Sequence, residues 1–226
     1  MDGSVAAPVT APAHIRRDHW GVAHVEATSL ADAYCALGYA MAQDRLWQLD
    51  HMRRLAHGQL AEILGPAYLR QDRLHRTIGL TMSAKAAAAA MPQQVRQVLQ
   101  AMASGINAVM DESRCNLPLE FELLDYRPTP WTPEDSIAIW KWRWWMLTGR
   151  LDVLAQREAV KRHLPPDLID VFLAVEAGEE TIVPSTQPAG VGGFDTGEGS
   201  NNWVVGGSRS RSGKPILATD PHNGID

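Results

Sequence analysis

Only two cysteines, Cys35 and Cys115, occur in 226 residues. Two thiols make no disulfide framework, and neither sits in a metal-ligand spacing. Cys35 lies within an apolar helical pattern and reads as a small buried hydrophobe rather than a nucleophile. Basic blocks are also missing. The formal net charge is −5, and Arg143, Arg150, Arg209 and Arg211 are scattered, so nothing points to a nucleic-acid partner. No stretch reaches the ~18 consecutive apolar residues of a membrane-spanning helix, so no membrane partner is expected. Met1 to Pro12 holds no Lys or Arg and no long apolar run, and does not read as a signal peptide. As written, the chain is therefore expected in the cytoplasm, unless a leader precedes it. What is present suits an ordered core: 45% of residues are hydrophobic and 21% charged. The length fits one large domain or two small ones.

Residues 1–12 read as a disordered lead-in. Residues 14–27 suit two short strands around an Asp18-His19-Trp20-Gly21 turn. His19 and His24 read as hydrogen-bonding groups of a strand edge rather than catalysts. Ser29, with Asp32 three residues on, marks a helix start. The long helix that follows places Leu37, Met41, Trp47 and Leu55 near one face, with Ala40 and Leu46 beside them. Asp44, Arg45, Asp50, Arg53 and Arg54 sit among these apolar positions and must be paired, because an unpaired buried charge is costly. Asp44 with Arg45 or Arg54 is the expected pair. Helices are expected at 59–64, 68–80, 82–90 and 92–110, the last with Val95, Leu99, Met102 and Ile106 as its apolar face. A proline-rich connector, 115–133, is anchored by Leu119, Phe121, Leu123, Leu124 and Tyr126. Thr132 then caps a helix that opens on Pro133 and runs to about Thr148. Trp140, Trp142, Trp144, Trp145 and Met146 occupy more than one face of it. They either fill core or form the apolar wall of a substrate pocket. Helix is expected to continue from Arg150 to His163, with a short helix after it to about Ala174.

Residues 176–199 lose all hydrophobic periodicity and become rich in glycine, which suits an exposed loop open to cutting. Two strands follow, centred on Trp203-Val204-Val205 and Ile216-Leu217-Ala218-Thr219, with a polar turn at 208–213. Antiparallel pairing across that turn puts Ser200 opposite Pro221 and Gly199 opposite His222. An imidazole would then lie beside the serine. Serine needs activation to attack an amide, by a neighbouring base or by its own α-amine if it begins a chain. An α-amine has a pKa of about 8, nearer neutrality than lysine. Cutting between Gly199 and Ser200 would supply it.

The string Gly199-Ser200-Asn201-Asn202-Trp203-Val204-Val205, with Gly213-Lys214-Pro215-Ile216-Leu217-Ala218-Thr219-Asp220-Pro221-His222, resembles the β-subunit start of the penicillin acylase family of N-terminal-nucleophile hydrolases. Arg17-Asp18-His19-Trp20-Gly21-Val22-Ala23-His24-Val25, Gly38 to Gln48, Arg53-Arg54 and Gly58-Gln59-Leu60-Ala61-Glu62 resemble the same family, in the same order. The resemblance implies a precursor that cuts itself before Ser200. Residues 1–175 would be a helical α-subunit with N-terminal strands, 176–199 a spacer, and 200–226 the start of the β-subunit. Ser200 would be nucleophile, its free amine the base through a water, and His222 an orienting and processing residue. Trp144, Trp145, Met146, Arg150 and Leu151 would border the acyl pocket, with Leu151 standing where penicillin G enzymes have Phe. A structural calcium is implied in some members, and Glu158 is the residue here that could contribute. The resemblance also implies a periplasmic or secreted location.

The fold class expected is α+β: a mostly helical α-subunit and the first hairpin of an αββα sandwich. Two functional readings stand. One is the N-terminal part of a precursor of an amidohydrolase, acting on β-lactam or related acyl amides and pairing with its own downstream β-subunit. The other is a helical binding or scaffold protein without catalysis, inert at this length. The sequence does not choose a substrate.

Overall fold

The computed structural model describes residues 3–148, 155, 158–168 and 200–221. They fall into two units, Met1–Leu151 and Asp152–Asp226.

In the first unit, strands β1 (His14–Arg17) and β2 (Ala23–Glu26) pair antiparallel from His14↔Glu26 to Arg17↔Ala23. Asp18 shapes their turn: its carboxylate accepts from Trp20 N at 2.9 Å and Val22 N at 3.0 Å. Helix α1 (Leu30–His57) starts as its sequence foretells, with Ser29 Oγ accepting from Asp32 N at 3.0 Å. The Asp32 carboxylate, 2% exposed, accepts in turn from Thr10 N and Thr10 Oγ1, both at 2.7 Å. The lead-in is thus tethered at Thr10 rather than disordered there, since a buried carboxylate must find donors.

Helix α5 (Gln93–Glu112) packs along α1 at very close range. A methyl group at Gly38 would overlap the Met102 carbonyl, and one at Gly105 would overlap the Cys35 carbonyl. This crossing corrects the N-terminal half of the expected apolar face, while further along Leu55 is buried and Trp47 half-buried as expected. Leu37 and Met41 are 40% and 37% exposed, while Cys35, Ala36, Ala40, Ala42 and Leu46 are buried. Backbones this close leave room only for small side chains. A non-helical Arg45 (φ −142°, ψ 33°) also breaks the regular phase of the helix.

Between these two helices come α2 (Ala61–Leu64), a short turn of 3₁₀ helix, α3 (Leu69–Ile78) and α4 (Leu80–Ala90). The connector contains one helix that sequence did not foretell, α6 (Leu119–Leu123), closed by Asp125 at φ 50°. Its Phe121 is buried, with Trp47 and Tyr126 packed on it at ring separations of 5.4 and 5.2 Å. Helix α7 (Pro133–Thr148) opens on proline as expected. The capping contact differs from expectation: Thr132 N and Thr132 Oγ1 donate to Asp135 Oδ2 at 2.8 and 2.9 Å.

In the second unit, β3 (Ser200–Val205) and β4 (Ile216–Pro221) form an antiparallel ribbon in the register expected, Ser200↔Pro221 through Val205↔Ile216. Their connection is tied by Ser210 Oγ, which donates to Lys214 O at 2.6 Å, and turns at Gly213 with φ 71°. The fold is α+β and mostly helical, with two two-stranded sheets among the described residues. The glycine-rich stretch 176–199 lies outside those residues. No helix among them is long and apolar enough to cross a membrane.

Candidate active site

Ser200 is the first residue of β3 and is exposed. The ribbon's pairing is continuous from Ser200 to Val205, so the serine is held by a strand and not by a loop. Gly199 and His222 lie outside the described residues. The observed pairing is Ser200 against Pro221, and His222 follows Pro221 directly in the chain. All six β3 residues are exposed, with Trp203 at 64% and Val204 at 72%; Leu217 on β4 is 70% exposed. The three rungs nearest the turn, Val205–Ile216, Val204–Leu217 and Trp203–Ala218, are apolar on both faces.

The tryptophans of α7 divide. Trp142 packs against a core cluster that includes Ala56, Ala84 and Ala138. Trp145 is half-buried, with its ring 5.4 Å from His75 and nearly perpendicular to it. Trp140 and Trp144, one helical turn apart, are 64% and 67% exposed. Met146 is half-buried. Trp142 and Trp145 thus fill core, as one reading of this helix has it, and Trp140 and Trp144 face outward. Arg150 and Leu151 lie outside the described residues. One cavity of about 540 Å³ lies elsewhere, lined by Arg114, Cys115, Phe121, Tyr126 and Arg127 among others, and contains none of the expected site residues.

Glu158 is exposed, and its carboxylate accepts from Lys161 Nζ at 2.6 Å. That bond holds its carboxyl below the ordinary glutamate range. Among the described residues no group of three or more His, Cys, Asp or Glu side chains could hold a metal ion.

The buried charges of α1 form a network that the sequence reading only half anticipated. Asp44 pairs with Arg17 at 2.9 Å, not with Arg45 or Arg54, because β1 lies against that side of the helix. The pair inside the fold is centred on Asp50, which is fully buried. Asp50 accepts from Arg53 Nε at 2.7 Å, Arg54 Nε at 3.0 Å and Tyr126 Oη at 2.7 Å. Burial, then the Asp50 carboxylate, pushes the Tyr126 phenol well above its ordinary range. Arg53 also donates to Thr129 O at 2.7 Å and lies over the Trp131 ring. His57 bridges the next step, with Nδ1 2.9 Å from Thr81 Oγ1 and Nε2 3.0 Å from Asp135 Oδ1. The signal for Asp50 was available: acid and arginines at i, i+3 and i+4 share one helix face. Asp135 and Tyr126 are remote in sequence and gave none. The Gly58-Gln59-Leu60-Ala61-Glu62 string is likewise structural. Gly58 takes a left-handed φ of 65°, and Asp72 accepts from Leu60 N and Ala61 N at 3.0 and 2.8 Å.

The penicillin amidase family model matches residues 12–226. The chain is 36% identical to a penicillin acylase 2 proenzyme of Pseudomonas sp. (strain SE83), over 98% of this chain and 32% of that protein. It is 32% identical to the acyl-homoserine lactone acylase QuiP of Pseudomonas aeruginosa, over 92% of this chain and 27% of that protein. It thus spans about a third or less of the length of these relatives. Among solved structures, a thermostable penicillin G acylase from Alcaligenes faecalis aligns with a TM-score of 0.64 and 32% identity, covering 79% of this chain and 97% of that one.

Proposed function

The chain belongs to the penicillin amidase family, and from that premise we propose that it is part of a precursor cut before Ser200, whose exposed serine becomes the nucleophile of an acyl amide hydrolase. The observation that carries the reading is Ser200 itself: first residue of an ordered strand and exposed, in a chain matched by the family from residue 12 to 226.

The cut needs no second protein. Ser200 Oγ attacks the Gly199 carbonyl carbon, a C–O bond forms, and the Gly199–Ser200 C–N bond breaks as nitrogen takes up the hydroxyl proton. Water then adds to the ester carbonyl, and the C–O bond breaks. Gly199 leaves as a carboxylate, and Ser200 keeps its hydroxyl and gains a free α-amine. In turnover that amine, with a pKa of about 8 before any perturbation, takes the hydroxyl proton through a water. The serine attacks the substrate's amide carbonyl, the amine leaving group departs with a proton, and water hydrolyses the acyl-enzyme. His222, next after Ser200's cross-strand partner, orients the nucleophile. Trp144, Trp145 and Met146, with Arg150 and Leu151, border the acyl pocket. The substrates are small acyl amides of the β-lactam or acyl-homoserine lactone kind, the two classes that the relatives' names record. The two pieces stay together as an αβ pair.

The test is N-terminal sequencing of the full-length protein together with hydrolysis of an acyl amide that releases a coloured amine. We expect a new chain starting Ser200-Asn201-Asn202. Ser200→Ala should leave the precursor whole and lower hydrolysis by roughly ten thousandfold or more. Cutting of Ser200→Ala at the same bond would refute the assignment.

A further inference from the structure

The ribbon that begins at Ser200 sorts its residues by distance from the serine, not by face. Its rungs nearest the turn, Val205–Ile216, Val204–Leu217 and Trp203–Ala218, are apolar on both faces. The rungs at the far end, Asn202–Thr219, Asn201–Asp220 and Ser200–Pro221, carry every polar side chain of the ladder. A half-buried ribbon alternates polar and apolar along each strand. This one changes character halfway along, so polarity is gathered where the serine is. Residues directly opposite each other share a face, and so do residues two apart on one strand. Asn202 and Thr219 therefore stand on the same face as Ser200, with Asn201 and Asp220 on the other.

The distances suit a contact along the strand. Same-face neighbours on a strand lie about 6.7 Å apart at Cα. An asparagine side chain and a serine hydroxyl that lean toward each other close that gap with one hydrogen bond of about 2.9 Å. Both Asn202 and Thr219 are exposed, so packing does not commit their polar groups elsewhere. Thr219 lies directly across from Asn202, where its hydroxyl can brace the carboxamide.

We propose that Asn202, braced by Thr219, is a positioning residue for Ser200: its carboxamide oxygen accepts from the serine hydroxyl before the cut and from the freed α-amine after it. The first bond aims a hydroxyl lone pair at the Gly199 carbonyl. The second fixes the rotation of the amine so that its own lone pair faces the water it must deprotonate. The inference rests on the nucleophile reading of Ser200 and adds a residue to it.

An acceptor beside an amine favours its charged form. Replacing Asn202 by leucine, similar in volume but without polar atoms, therefore eases deprotonation while losing alignment. In the full-length protein, Asn202→Leu should slow the cut before Ser200 by about tenfold, the worth of one hydrogen bond to a charged or reacting group. In the processed enzyme, kcat should fall by a similar factor with KM within about twofold, and the acidic limb of the pH profile should move to lower pH. Thr219→Val should change the same readouts in the same directions by less, and Thr219→Ser should restore them. An Asn202→Leu protein that cuts at the parent rate with an unmoved acidic limb, beside an uncut Ser200→Ala, overturns the proposal and leaves the nucleophile standing. A Ser200→Ala precursor that still cuts brings both down. If Asn202→Leu does not fold, Thr219→Val decides on the same readouts, and parent values there overturn the proposal.

Discussion

Asp135 carries more of the helical unit's architecture than its place in the first turn of α7 suggests. One carboxylate oxygen takes both donors of Thr132, and the other faces His57 at the end of α1, which reaches Thr81 at the start of α4. Burial by itself would raise the acid's pKa. The His57, Thr132 and Arg53 contacts outweigh burial and hold it below the ordinary value of 3.8. The sign of the pH effect follows. A carboxyl whose folded pKa is depressed contributes stability that is complete above the unfolded value and is lost as pH falls through the folded one. Asp135→Asn should therefore cost about 2 kcal/mol near neutral pH, where the charged acceptor is lost. The parent and variant melting temperatures should draw together as pH falls below about 4. Thermal melts of both proteins between pH 7 and pH 3 measure this; a gap that stays constant over that range would show that the charge of Asp135 is not what matters.

At the scale of elements, glycine decides where helices meet. Gly105 in α5 lies against the Cys35 carbonyl of α1, and Gly38 in α1 against the Met102 carbonyl of α5. Alanine is the better helix former by about 1 kcal/mol, so an exposed Gly→Ala in α5 would stabilise. At position 105 the added methyl would meet a backbone oxygen that cannot swing aside, and overpacking costs about 1–3 kcal/mol or more when backbone must move. The steric term wins, and Gly105→Ala should lower the urea midpoint rather than raise it. This crossing also explains what the sequence concealed. Long apolar residues at helical spacing, such as Leu37 and Met41, are the usual mark of a buried face, but between Cys35 and Ala42 the buried side of α1 is alanine, glycine and cysteine. Signals that depend on neighbouring residues were legible: the Ser29 cap, Pro133 at a helix start, and the full ladder from Ser200 to Pro221. Signals that depend on distant partners were not. Thr10 finding Asp32, or Tyr126 finding Asp50, has no local trace, because long-range pairing follows from the packed fold and not from spacing.

The whole molecule joins elements of very different self-sufficiency. The helical unit owns a core: Ala103 and Ile106 of α5 are fully buried, and Phe121 and Trp131 are nearly so. The second unit's ribbon owns none, since every residue of β3 is exposed in this chain. A lone two-stranded ribbon is marginal in water, because its hydrogen bonds stay open to solvent and little apolar area is buried. Local opening free energy follows these differences, so amide exchange should as well. In the 226-residue chain, amides of 103–110 should exchange slowest and those of 201–205 among the fastest of any strand or helix. If the remainder of a longer protein covers Trp203, Val204 and Leu217, the same amides of 201–205 should become slow. Exchange followed by mass spectrometry on both lengths tests this directly. Equal and rapid exchange of 201–205 in both would mean that the ribbon is not covered in the longer protein, and the nucleophile proposed at Ser200 would then lack a rigid mount.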